Sequence, residues 1–179
     1  PALSLIQAIQ EKDEDHEVLY IGTDKASESR IIPEADMPFK TIQIQGLSRS
    51  LSFHNIKTAR LFLQSLREVK KIIKAFQPDI VLGTGGYVCA PVVYQAARLN
   101  IPTMIHEQNS VPGLTNKFLA KYVDAICTCF SQTQDYFPKN KVHLTGNPRA
   151  QEVVHIEKSD ILKEFDLDPK KPTVLIFGG

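Results

Sequence analysis

No run of apolar residues in this sequence approaches the roughly 18 that a membrane-spanning helix needs, and no signal peptide is visible. No internal repeat or low-complexity tract is present, so repeat architectures drop out. Cysteine is scarce. Cys127-x-Cys129 lies in an apolar stretch, and Cys89, the third thiol, supplies no second pair. A metal site is therefore not expected, and buried thiols in a reducing cytosol are. Acid is nearly absent from one place. Between Arg49 and Lys74 there are seven basic residues (Arg49, Lys57, Arg60, Arg67, Lys70, Lys71 and Lys74) and one acid, Glu68. No aromatic stacking platform accompanies those charges, which argues against nucleic acid as a partner.

What is present is ordinary for a globular chain. The 179 residues are 42% hydrophobic and 23% charged, enough for one full domain, or one domain and the beginning of another. A domain of this size buries roughly 70% of its unfolded surface and needs no staples. The ends read as cut at strand-to-helix turns: PALSLIQAIQ opens as a helix with proline in its first turn, and TVLIFGG closes as a strand followed by two glycines.

Helix and strand alternate throughout. The pattern predicts helices over Pro1–Gln10, Asn55–Phe76, Val88–Leu99, Gly113–Tyr122, Ala150–Ile156 and Asp160–Phe165. It predicts strands over Val18–Ile21, Lys40–Ile44, Ile80–Leu82, Thr103–Ile105, Ala125–Phe130, Val142–Leu144 and Thr173–Phe177. In the long helix, Phe62, Leu66, Val69, Ile73 and Phe76 fall on one face, and Gln77-Pro78 ends it. Ser159 is a candidate N-cap for the last helix. Such alternation predicts an α/β fold, a Rossmann-like doubly wound parallel sheet with helices on both faces. Residues 151–172 read as interdomain helices and linker, and 173–179 as the first strand of a second domain.

The stretch 78–116 organises the rest. Two short apolar runs enter Gly83-Thr84-Gly85-Gly86-Tyr87 and His106-Glu107-Gln108-Asn109, placing both loops at the carboxyl edge of the sheet, where open α/β folds bind ligands. The glycine loop permits close backbone approach, and the following helix offers free N–H groups to an anion such as a diphosphate; the alternative is a plain tight turn. Four consecutive polar side chains in HEQN are costly at a strand end without a polar ligand, the alternative being a solvated turn. Glu107 suits a sugar hydroxyl, as acceptor or base, and His106 a phosphate or a neighbour. Asn147-Pro148-Arg149 follows a third strand on that edge, where Arg149 offers a fork to phosphate or carboxylate. The two DxD strings, Asp13-Glu14-Asp15 and Asp166-Leu167-Asp168, fall away from this rim, which predicts chemistry without a metal. Outside the core stripe of the basic segment stand Leu51, Phe53, Ile56, Leu61 and Leu63. With Lys57, Arg60 and Arg67 they compose a candidate patch for an anionic membrane surface, against the plainer reading of a solvated basic helix. At about 1 kcal/mol per basic residue near such a surface, the excess is ample for reversible docking.

GTGGYVCAPVVYQAA, IPTMIHEQNSVPGLTNKFLAKY, GNPRA and the closing VLIFGG resemble the bacterial peptidoglycan N-acetylglucosaminyltransferases of the GT-B fold, glycosyltransferase family 28. The resemblance runs over nearly the whole chain. It implies an N-terminal acceptor domain that transfers GlcNAc from UDP-GlcNAc to the C4 hydroxyl of MurNAc on undecaprenyl-diphosphate-MurNAc-pentapeptide (lipid I), giving lipid II. It further implies inversion, no cofactor or metal, and a peripheral location on the cytoplasmic side of the cell membrane. Gly85, Gly86 and Tyr87 match a loop expected to hold the acceptor diphosphate. His106, Glu107, Asn109 and Asn116 match cleft positions, and Asn109 and Arg149 match positions associated with the donor. In this family a first strand and glycine loop, carrying the histidine most often proposed as base, stand before the position of Pro1. A second domain follows Gly179. These 179 residues alone are therefore expected to be inactive, with Glu107 the best candidate among them for contacting the acceptor sugar. Two other readings are a related lipid glycosyltransferase or UDP-GlcNAc 2-epimerase, and a non-catalytic sugar-nucleotide-binding subunit.

Overall fold

A computed structural model describes residues 1–12, 15–24, 37–46, 53–150, 154, 161–168 and 170–174, with backbone alone over 53–57. In chain order the elements are α1 (Ala2–Gln10), β1 (Tyr20–Gly22), β2 (Phe39–Thr41), α2 (Phe53–Phe76), β3 (Val81–Gly83), α3 (Cys89–Arg98), β4 (Thr103–Glu107), α4 (Leu114–Leu119), β5 (Ala125–Thr128), a 3₁₀ helix (Ser131–Tyr136), β6 (Val142–Leu144) and α5 (Ile161–Glu164). Every strand pair is parallel, so the chain has the α/β, Rossmann-like architecture that its alternating pattern implies.

The sheet comes in two parts. β1 pairs with β2, and β3-β4-β5-β6 form a four-stranded sheet in sequential order. Between β1 and β3 lies a cavity of about 640 Å³, walled by Tyr20 and Ile21 on one side, Val81 and Leu82 on the other, and closed by residues of α1, α2 and α3. The two parts nevertheless share one apolar layer. Ile42, beyond β2, packs in one cluster with Val69 and Ile73 of α2 and Ala96 of α3, against Ile21 and Val81. The second cluster, Val93, Ile105, Leu119, Ala120, Val123, Ile126 and Phe137, seats α3 and α4 on β4 and β5. Gly83 marks the tightest approach: a Cβ there would stand 2.8 Å from Val93 Cγ2, so α3 lies directly on the end of β3.

The core stripe of α2 is as read, with Val69 and Ile73 fully buried and Phe62, Leu66 and Phe76 half-buried. Gln77, where the helix stops, has φ +54°. Two boundaries differ instructively. β4 does not stop at Ile105 but runs through His106 and Glu107, in register with Cys127 and Thr128 of β5. Ladder pairing to β5 continues past the apolar run, so these two residues are strand rather than loop. The strand read over Ala125–Phe130 ends at Thr128, because the chain turns into the 3₁₀ helix, anchored by the buried Thr133. Of the segments expected near the carboxyl terminus, Ile161–Glu164 is helical, and Thr173 and Val174 are exposed and outside any strand. Ser159, most of Ala150–Ile156, and residues 175–179 lie outside the described residues.

Candidate functional site

Parallel pairing puts the segments after β3, β4 and β6 at one edge, and side chains at the end of β4 join them. His106 is 3% exposed. Its Nε2 lies 3.0 Å from Gly146 O in the segment after β6, and Gln108 Nε2 lies 2.8 Å from its Nδ1. A carbonyl only accepts, so the proton sits on Nε2 and Nδ1 accepts from the Gln108 amide. Of the two uses read for His106, a phosphate or a neighbour, the ring here is engaged with neighbours at both nitrogens and links two loops.

Glu107, 2% exposed, departs further from the sequence reading. Its Oε1 accepts from Asn109 N at 3.0 Å and Asn109 Nδ2 at 2.8 Å. Its Oε2 accepts from Gly113 N at 3.0 Å and Asn116 Nδ2 at 2.9 Å. Burial on its own would raise the pKa of this carboxyl, but the backbone N–H groups of Asn109 and Gly113 and the two side-chain amides outweigh it, and the net shift is downward. Glu107 is thus a held anion, with all four of these bonds coming from its own loop.

The glycine loop is built as its sequence suggests. Gly85 and Gly86 have φ of +94° and +80°, a region closed to most side chains. Cys89 Sγ donates to Gly85 O at 2.7 Å, and Cys89 N to Gly86 O at 3.3 Å, tying the turn to the first residue of α3. No side chain caps that helix start, and Pro91, buried in its first turn, has no N–H to satisfy. Tyr87 is exposed at the rim. A Cβ on Gly85 would lie 3.8 Å from Asn116 Nδ2 and 3.9 Å from Gln108 Oε1, so the turn faces the β4 loop across the space of about one methyl group. Asn116 is buried, and its Oδ1 has no partner among the described residues. Asn109 and Arg149 are exposed; Arg149 N donates to Asn147 Oδ1 at 3.1 Å, and Gly146 has φ +77°.

Two contributors, Thr133 and Asp124, went unread in the sequence, and Gln108 was read only as one of the polar HEQN side chains. Thr133 Oγ1 reaches Asn109 O at 3.0 Å and Ser110 O at 3.1 Å from the 3₁₀ helix. Gln108 supports His106. Asp124 fastens the start of β4, accepting from Thr103 N and Oγ1 at 2.8 and 2.9 Å. Hydrogen bonds from that Thr103 N–H and hydroxyl lower its pKa. Of the candidate membrane patch, Arg60, Leu63 and Arg67 are exposed and Leu61 is half-buried. Leu51 and the side chains of Phe53, Ile56 and Lys57 lie outside the described residues. Phe62 meets Phe118 of α4 edge to face, and Phe118 packs on Tyr94 and Tyr122. Phe118 and Tyr122 are both partly exposed, extending this apolar surface beyond the residues read from sequence.

A parallel α/β sheet with a glycine turn at a helix start and polar loops along the same edge defines a Rossmann-type domain of the kind that binds phosphorylated ligands. The chain belongs to glycosyltransferase family 28: the model described as the glycosyltransferase family 28 N-terminal domain matches residues 1–128. Over all 179 residues it is 54% identical to the UDP-N-acetylglucosamine--N-acetylmuramyl-(pentapeptide) pyrophosphoryl-undecaprenol N-acetylglucosamine transferase of Halalkalibacterium halodurans. It is 55% identical to the protein of the same name from Lactiplantibacillus plantarum. The chain spans about half the length of the curated relatives it matches, 49% in both cases. Among solved structures, Acinetobacter baumannii MurG superposes with a TM-score of 0.68 at 30% identity, over 81% of this chain and 40% of that one. A UDP-GlcNAc 2-epimerase from Methanocaldococcus jannaschii superposes over 90% of this chain and 47% of that one, with a TM-score of 0.60 at 15% identity, a likeness of fold alone.

Proposed function

We propose that this chain is the acceptor-binding part of an N-acetylglucosaminyltransferase that moves GlcNAc from UDP-GlcNAc to the MurNAc C4 hydroxyl of lipid I, forming lipid II for peptidoglycan. The observation that carries the reading is the convergence of residues 83–87, 106–109 and 146–149 on one sheet edge, in a chain whose relatives of that name match it end to end. Gly85, Gly86 and Tyr87, before the open start of α3, hold the acceptor diphosphate through backbone N–H groups. Asn109 and Arg149, both exposed at the rim, face the donor, and Asn116 lines the floor.

The reaction is a single displacement with inversion. A base removes the acceptor proton while the site stabilises charge on the departing UDP. With Glu107 engaged by its own loop and the His106 ring by Gln108 and Gly146 O, that base comes from a part of the longer protein outside these residues. A first strand preceding α1 and filling the cavity between β1 and β3 is part of this reading, since a strand–helix–strand unit returns right-handed to a neighbouring position. No metal is needed: Asp168, in the second DxD string, accepts from Lys170 N in an exposed turn. Docking to the anionic cytoplasmic face of the membrane runs through Leu61, Leu63, Arg60 and Arg67.

The test is an assay of the full-length protein with UDP-GlcNAc and lipid I. The expected product is a β-linked disaccharide lipid formed equally well in EDTA. Absence of transfer, or release of UDP-ManNAc without acceptor, would overturn the reading.

A further inference from the structure

Glu107 ends the central strand β4, buried, with each carboxylate oxygen taking one backbone N–H and one side-chain amide of the same loop. Two residues of that loop reach the neighbouring rims. Asn116, held by Glu107 Oε2, lies under the glycine turn, its Nδ2 3.8 Å from where a Gly85 Cβ would be. Gln108 stands beside it, 3.9 Å by the same measure, and supports His106, which holds Gly146 O. One carboxylate therefore sets a loop against which both other rims are built.

We propose that Glu107 is a positioning residue, a fixed anion that holds residues 108–116 so that the turn at Gly85–Tyr87 keeps the shape that receives the acceptor's diphosphate. It neither contacts the substrate nor moves a proton. Its carboxyl is held below the ordinary range by the hydrogen bonds that outweigh burial, whereas a general base works best with a pKa near the operating pH. Gln in its place keeps the shape but turns an NH₂ group toward two of the four donors.

The inference rests on the transferase reading for its kinetic arm alone. In the full-length protein, Glu107→Gln is expected to raise KM for lipid I about tenfold or more, leave KM for UDP-GlcNAc within about twofold, and keep the acid limb of the pH–rate profile. Loss of that limb would make Glu107 the base and overturn the proposal. A fall in kcat alone, with both KM values unchanged, would mark an interaction made only in the transition state and overturn it equally. Amide hydrogen exchange without substrate is the second arm, and it stands even if the protein transfers no sugar. In Glu107→Gln, exchange should quicken at Asn109 and Gly113 and also, by about tenfold, across Gly85–Tyr87. Unchanged exchange at 85–87 would overturn the proposal. Should Glu107→Gln fail to fold, Asn116→Ala, which removes the side chain beneath the turn with its bonds to Glu107 Oε2 and His106 O, is expected to give the same change at 85–87, and its absence would count the same way.

Discussion

Replacing Glu107 by Ala tests the energetics of this arrangement through stability. The substitution orphans four donors of unequal consequence. Asn109 and Gly113 are exposed, so water can meet their N–H groups, and about 0.5–1 kcal/mol is lost for each of those three bonds. Asn116 is 2% exposed, and its Nδ2 keeps only the long 3.4 Å contact with His106 O. An unsatisfied buried donor costs about 1–3 kcal/mol. Together the loss comes to about 2.5–6 kcal/mol, which brackets the range seen when a buried charge partner is removed. For a domain of this size that is a fall of roughly 5–24 °C in Tm. The pH dependence has a definite sign. The folded carboxyl holds its proton less tightly than the unfolded one, whose ordinary value is 4.5. Its contribution is therefore complete above that value and is lost as pH falls through the lower folded value. Urea melts at pH 7 and at pH 4 should show wild type losing stability on acidification, and Glu107→Ala losing less. A destabilisation under about 1 kcal/mol at pH 7, or an identical acid dependence in both proteins, would refute the hydrogen-bond account.

Gly83→Ala should destabilise by about 1–3 kcal/mol in the same melts, because its methyl would meet the branched Val93 side chain at 2.8 Å and Ile105 at 3.4 Å. Burial, and for Cys129 the charge of Glu107 as well, pushes the Cys127 and Cys129 thiols up. Iodoacetamide at neutral pH should therefore label both several-fold more slowly than a free thiol, with Cys129 quickening in Glu107→Gln; labelling at the free-thiol rate would contradict the placement. Reversing Arg60 and Arg67 to Glu should greatly weaken flotation with anionic vesicles while leaving neutral ones unaffected, and equal flotation would exclude this face as the membrane contact.

The layered fold was legible because period-2 and period-3.6 patterns alternate cleanly from Ala2 to Leu144, and Val69 and Ile73 fell where the stripe put them. Which loops share an edge followed from parallel topology alone. The direction of the polar side chains did not. HEQN reads as a rim offering four groups outward, because nothing local tells that the amides of Asn109, Gly113 and Asn116 will turn back onto Glu107. The i+2, i+6 and i+9 spacing of those donors has no period to recognise, and the Thr133 contact comes from a 3₁₀ helix that carries no strong pattern. The glycines at 85 and 86 are a different case: their positive φ is a local demand that the residue type itself announces.

The divided sheet bears on what can complete it. An extended segment lying parallel between Tyr20–Gly22 and Val81–Gly83 would pair with both and join the two parts into one continuous sheet. Whatever occupies that seam therefore fixes the distance between the β1–β2 pair and the four strands that carry the rim.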